Sequence, residues 1–223
     1  MTDIFVFAHM DDETILSFGT MKRLKDSGDD VFVAIACGKG RPLGELDDPT
    51  RNIKREAVFN ANLKSIGAVS SYRGEWEDRN YDRVAFRHEL AIVFSTIKPD
   101  RVFTHSATDL HFDHRAVFED VLVVSRPIPG NHYHVRELYS TMSNSASIGS
   151  LYSGQFKPDT YFIIEPHISD KEDAIDRYAE IGEIPKYTFD PRSSFSEVSF
   201  DQTNGNRVGQ RGAELWETVF RIV

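Results

Sequence analysis

Residues 3–37 read DIFVFAHMDDETILSFGTMKRLKDSGDDVFVAIAC, and the fold is decided within them. "DIFVFA" (3–8) is apolar at successive positions and bounded by polar residues, the pattern of a strand buried on both faces. Beyond it, Ile15, Leu16, Phe18, Met21 and Leu24 recur at helical spacing, and Gly28 supplies a C-terminal stop. "DVFVAIAC" (30–37) is a second buried strand. Strand, helix and strand in so short a stretch predict parallel strands joined by a crossover helix.

The alternation continues outward. A helix is expected from about Asp48-Pro49, where Asp caps and proline takes the first turn, to about Ile66 before Gly67. "YDRVAFRHELAIVFSTIKP" (81–99) is a third amphipathic helix, stopped by Pro99. "RVFTHS" (101–106) reads as the next strand and "HRAVFEDVLVVS" (114–125) as the next helix. "VRELYSTM" (135–142) and "DTYFIIE" (159–165) read as later strands, and Ser169 to Glu172 forms a capping box ahead of a helix over roughly 170–182. The expectation is an α/β fold, a Rossmann-like, mostly parallel sheet with helices on both faces, in one domain over 1–223. Residues 186–212 are rich in Ser, Asn, Gly and Asp without a period; a substrate-covering loop and a plain surface loop fit them equally.

With 223 residues, 40% of them hydrophobic, the chain can bury a full core. A net charge of −9 lacks the basic footprint that nucleic acid or an anionic membrane needs, so neither nucleic-acid binding nor membrane insertion is expected. The opening residues have no basic n-region, and a single cysteine, Cys37, excludes an intrachain disulfide and a Cys-based zinc cluster. These features favour a cytoplasmic setting. A homo-oligomer is compatible with the sequence, which does not specify the oligomeric state.

Two clusters carry the chemistry. "AHMDDE" (8–13) ends the first strand and begins its helix, and ligands in parallel sheets bind at the carboxyl ends of strands. Asp11 or Asp12 could serve merely to cap that helix, but one carboxylate suffices for a cap. "THSATDLHFDH" (104–114) follows another strand and should project from the same sheet edge; it contains Asp109, His111, Asp113 and His114. Imidazole and carboxylate suit Zn²⁺, and a catalytic zinc takes about three protein ligands. His9 and Asp12 can converge on one ion and His114 can complete the set, leaving Asp11 and His111 beside it. Spacing alone does not say which member of each pair binds metal.

The pair "AHMDDE" and "DLHFDH" resembles the PIG-L/LmbE-like zinc deacetylases, over roughly residues 3–125, with a weaker echo in "GAELWE" (212–217). That family includes de-N-acetylases of N-acetylglucosamine conjugates on a Rossmann-like fold. The resemblance implies Zn²⁺ bound by His9, Asp12 and His114, with Asp11 as general base and His111 stabilising the oxyanion or acting as acid. It implies that Asp113, and Asp109 with it, orient ligand histidines. The substrate it implies is a small N-acetylated sugar conjugate that loses acetate. Met10 replaces the family's usual proline. Counting back from Gly67 puts Arg55 at the arginine of a substrate-binding Arg-x-x-Glu pair, with Val58 where the glutamate would be; an exposed helix charge is the plainer reading of Arg55.

Other readings use the same residues. A metallohydrolase of a different N-acyl compound or of a phosphoester is one, the latter favoured if Asp11 or Asp109 bridged a second metal. A non-catalytic sugar-binding module is another, expected if Asp11 or His111 were missing. "CGKGRPLG" (37–44) has the wrong Gly spacing for a phosphate loop and reads as a turn near the pocket, with Cys37 a small buried residue. Glu13 reads as helix N-terminal charge, His132 and His134 as a solvated pair, and His105 as a pocket-lining residue in a strand-end loop.

Overall fold

A computed structural model describes residues 1–40, 50–128, 130, 132–142, 156–184, 205 and 212–222. The expected N-cap at Asp48-Pro49, residues 41–44 and nearly all of 186–212 lie outside them. The elements are β1 (Thr2–His9), α1 (Asp12–Asp26), β2 (Asp30–Cys37), α2 (Arg51–Ile66), β3 (Val69–Arg73), α3 (Arg83–Ile97), β4 (Arg101–His105), α4 (Phe112–Ser125), β5 (Glu137–Thr141), β6 (Thr160–Ile163), α5 (Ile168–Glu180) and β7 (Ala213–Arg221). A short 3-10 turn, Glu165–His167, leads into α5.

Seven strands form one sheet in the order β3-β2-β1-β4-β5-β7-β6. The first five are mutually parallel, while β7 runs antiparallel to both β5 and β6. β1 lies near the centre, paired with β2 and β4, which is why its apolar run has no polar face. Its side chains alternate between two cores. Ile4, Val6 and Ala8 pack with Phe86, Leu90 and Phe94 of α3 and Val117 and Val121 of α4. Phe5 and Phe7 pack on the other face with Leu16 and Phe18 of α1, Phe59 and Leu63 of α2, Ala174 of α5 and Trp216 of β7. Helices thus cover both faces, and the expected α/β architecture is the one observed.

Local chemistry sets the ends. The Asp82 side chain accepts from the N–H groups of Val84 and Ala85 to start α3, and Gly67 closes α2 at φ 82° with its N–H on the Leu63 carbonyl. Three expectations change. β3, "VSSYR", is a half-exposed edge strand without an apolar alternation, so no pattern marked it. β7 inserts between β5 and β6 and was legible only as a family echo. α5 begins at Ile168, with His167 at its N-cap and no side-chain cap bond, so the Ser169–Glu172 pattern falls inside the first turn.

Candidate metal centre and active site

The carboxyl ends of β1 and β4 are adjacent, and both sequence clusters emerge there. His9 is the last residue of β1, Asp12 the first of α1, and His111 the N-cap of α4. A third segment joins them. Gly38 and Gly74, after β2 and β3, touch backbone to backbone where a Cβ on either would clash, and Gly38 N–H donates to the Gly74 carbonyl. That crossing brings residues 75–79 onto the strand ends: Arg79 N–H donates to Asp113 Oδ2 at 2.8 Å.

Each of two histidines is held by one nitrogen. His9 Nε2 meets Asp113 Oδ2 at 3.0 Å, and His114 Nδ1 meets Asp109 Oδ2 at 2.9 Å. Their other nitrogens turn to the same carboxylate: His9 Nδ1 lies 3.4 Å from Asp12 Oδ2 and His114 Nε2 lies 3.4 Å from Asp12 Oδ1. All five residues are buried. The donor set fits a divalent cation of zinc type, since ligand histidines are normally aimed by an outer carboxylate.

Among the described residues, donor atoms also gather within 4.8 Å of one another in three groups, His9/His111/His114, His9/Cys37/Asp113 and Asp12/His105/His114. His9, Asp12 and His114 straddle the first and third. His105, fully buried at the end of β4, accepts from Ala8 N–H through Nε2 at 2.9 Å and stacks on His114 with centroids 3.8 Å apart. It braces the site from beneath; the expected strand-end loop position gives way to a strand position. His111 accepts from Asp113 N–H through Nδ1 at 3.2 Å, which leaves the proton of its neutral ring on Nε2.

The charges are unevenly set. Burial works against a charged His9, but Asp113 and Asp12 outweigh it and hold its imidazole protonated well above the ordinary value. Burial likewise opposes charge on Asp12, yet His114 and His105 hold its carboxyl well below the usual range. Asp11 moves the other way: burial and then the neighbouring Asp12 push it up, against the pull of Arg55 and His9. Burial, with the charges of His114 and His9, lowers His111 and favours its neutral ring. Two adjacent carboxyls driven apart are a hallmark of divided acid–base and binding roles.

Neither carboxylate is a helix cap. Asp11 occupies the N-cap position at φ 146°, ψ −32° with no side-chain cap bond, and Asp12 Oδ2 instead accepts from His9 N–H at 2.8 Å. What holds Asp11 there is Glu13, which by its place in the sequence reads only as helix N-terminal charge. Glu13 is fully buried; Oε2 accepts from Asp11 N–H at 2.9 Å, and Oε1 accepts from Thr14 Oγ1 at 2.8 Å and Tyr178 Oη at 3.0 Å. Burial raises its carboxyl to about 7. A fully apolar partner would have sufficed for packing, so the three acidic letters in a row were the available signal.

Arg55 is 2% exposed, which overturns its reading as an exposed charge. Its NH2 group donates to the Met10 carbonyl at 3.1 Å, tying α2 to the turn that carries Asp11. Nε lies 2.9 Å from Glu183 Oε1 as an ion pair without hydrogen-bond alignment, and Nη1 has no hydrogen-bond partner among the described residues. Met10 itself is 1% exposed and packs in the core beside Phe7 and Leu16, which accounts for an apolar side chain at that position. Burial pushes the Cys37 thiol up, which argues against a nucleophilic role. His132 and His134 are exposed.

Comparison with known proteins places this geometry. The chain is similar to an N,N'-diacetylchitobiose deacetylase from Pyrococcus horikoshii at 16% identity, over 98% of this chain and 83% of that one, with a TM-score of 0.76. It is similar to the 4-carboxy-2-hydroxymuconate hydratase GalB from Pseudomonas putida at 17% identity, over 100% and 97%, TM-score 0.76. A zinc-inhibited form of teicoplanin deacetylase matches at 13% identity, over 100% and 99%, TM-score 0.75. At these identities the likeness is one of fold. No curated protein matches the sequence. Among the described residues no helix is long and apolar enough to cross a membrane. Residues 4–125, which hold both site clusters and four of the five parallel strands, match the family described as PIG-L, GlcNAc-PI de-N-acetylase, and the chain belongs to that family.

Proposed function

We propose that the protein is a zinc-dependent hydrolase that removes the N-acetyl group from an N-acetylglucosamine-type sugar conjugate and releases acetate. The observation that carries this is the pair of histidines, each held by a buried carboxylate and each turned toward Asp12. His9 Nδ1, Asp12 and His114 Nε2 would hold the cation. Bound there, it supplies a Lewis acid for the acetyl carbonyl and lowers the pKa of water to about 7.

The remaining roles fall to this chain's own groups. Asp11, whose carboxyl attracts a proton more strongly than its neighbour's, takes the proton from the attacking water. His111 presents Nε2–H as a donor to the developing oxyanion, and the proton taken up by Asp11 goes to the departing amine. Its Nε2 proton is the reason to read His111 as a donor and not a ligand. Asp113 and Asp109 keep the two ligand rings aimed. Arg55, whose Nη1 has no hydrogen-bond partner among the described residues, is proposed to meet a substrate hydroxyl.

The fold alone does not decide the reaction, because a hydratase shares it; family membership and the residues support the deacetylase reading. The test is acetate release from a panel of N-acetylglucosamine conjugates by protein stripped with a chelator and then reloaded with zinc, cobalt or manganese. Activity should vanish on stripping and return with zinc. Full activity in metal-free protein would overturn the proposal, and recovery with manganese but not zinc would replace the metal. A cytoplasmic location is proposed with it.

A further inference from the structure

His9 has two working sides. Nδ1 faces Asp12 at 3.4 Å, while Nε2 faces Asp113 at 3.0 Å. A His9 nitrogen, the Cys37 sulfur and an Asp113 oxygen lie within 4.8 Å of one another, all on buried residues. Asp78 Oδ1 approaches His9 Nε2 at 3.7 Å. Two oxygens in this group, Asp113 Oδ1 and Asp78 Oδ1, are buried with no hydrogen-bond partner among the described residues, and Asp113 as a whole is fully buried. An unsatisfied buried carboxylate oxygen is costly. A cation among them would satisfy both.

We propose that Cys37 Sγ, Asp113 and His9 Nε2, with Asp78 alongside, form a second divalent-cation site next to the catalytic one. A thiolate with imidazole and carboxylate selects borderline-soft ions such as zinc, cobalt and cadmium over magnesium or calcium. On binding, the metal–sulfur, metal–nitrogen and metal–oxygen bonds form as the Cys37 S–H proton and the His9 Nε2 proton pass to solvent; nothing is oxidised or reduced. Occupancy separates His9 Nε2 from Asp113 and removes the hydrogen bond that aims Nδ1. Excess metal therefore inhibits. That consequence rests on the deacetylase proposal; the binding does not.

The chain has one cysteine, so any thiolate-to-metal charge-transfer absorption must arise at Cys37. Metal-free full-length protein is titrated with cobalt(II) alone, reading absorbance and bound metal by equilibrium dialysis. Two equivalents per chain are expected, with the thiolate band appearing as one of them fills. The Cys37→Ala variant should bind one equivalent and show no band. A wild-type titration that ends at one equivalent without a thiolate band overturns the site, whatever the variant does. In the acetate assay, Cys37→Ala should need at least tenfold more zinc than wild type for equal inhibition, and equal sensitivity overturns the inhibitory consequence. If no conjugate is turned over, the deacetylase proposal fails and the cobalt band still decides the site.

Discussion

Asp11 sits at φ 146°, a conformation that side-chain-bearing residues rarely adopt and that costs about 1–3 kcal/mol. The strain is held by hydrogen bonds on both sides: Glu13 accepts its N–H, and its carbonyl accepts from Thr14 and Ile15 at 3.0 and 2.9 Å. The proposed base is therefore placed by its backbone. Asp11→Asn should lower kcat by about 10²-fold or more while metal content measured by emission spectrometry stays at the wild-type value; loss of metal would mean that Asp11 is a ligand. Glu13→Ala releases the Asp11 N–H, and kcat should fall about tenfold or more with KM and metal content little changed. Glu13 also makes stability depend on pH. Its folded value of about 7 stands above its ordinary 4.5, so the folded state holds this proton more tightly than the unfolded one. The group's contribution is fully present below about 4.5 and is lost as pH rises through 7, a change on the order of 3 kcal/mol. In urea titrations of the metal-free protein, Glu13→Gln should gain stability relative to wild type between pH 5 and 8; a constant difference would count against a buried, titrating Glu13.

At the scale of elements, the C-terminal strand β7 is a clamp. Glu214 accepts from Lys171 Nζ of α5 at 2.7 Å and from the N–H groups of Gly19 and Thr20 of α1 at 3.1 and 2.8 Å, with both charged residues 1% exposed. Trp216, two residues on, donates to Thr20 Oγ1 at 3.2 Å and packs against Phe5 and Phe103. One strand thereby secures the helix that begins with Asp12. Glu214→Ala removes a carboxylate from a buried ammonium and from two helix N–H groups, and should cost about 3 kcal/mol or more in chemical denaturation. An unchanged midpoint would show that the clamp is not built as described.

For the whole molecule, the core and the metal centre are separable. The two hydrophobic clusters flank the sheet, and the proposed ligands lie at its carboxyl edge, so folding is expected to proceed without the cation. Removing metal should leave the far-UV circular dichroism unchanged while abolishing turnover. It should also lower the melting temperature relative to protein with zinc at a hundred times its Kd, by about 2.7 kcal/mol of linkage or roughly 5–10 °C. Loss of secondary structure on chelation would show that the site is structural as well.

By itself the sequence determined the local elements and the inventory of the site. Alternation of apolar runs with helical stripes is written in neighbouring residues, so β1, α1, β2, α3, β4 and α4 were legible from their own patterns. His9, Asp11, Asp12, Asp109, His111, Asp113 and His114 were legible because each cluster follows directly on an apolar strand. What lay beyond reach depends on contacts between distant segments. β7 sits between β5 and β6 through ladder hydrogen bonds that no local pattern encodes, and β3 is an edge strand whose half-exposed face carries no apolar alternation. Arg55 is buried because the site turn and Glu183 close over it, and Glu13 because Tyr178 of α5 caps it. Cys37 lies beside His9 through the pairing of β1 with β2, and Asp78 reaches it through the crossing at Gly38 and Gly74. Hydrophobic periodicity reports which face of an element is buried; which buried polar groups share a pocket is decided by tertiary packing.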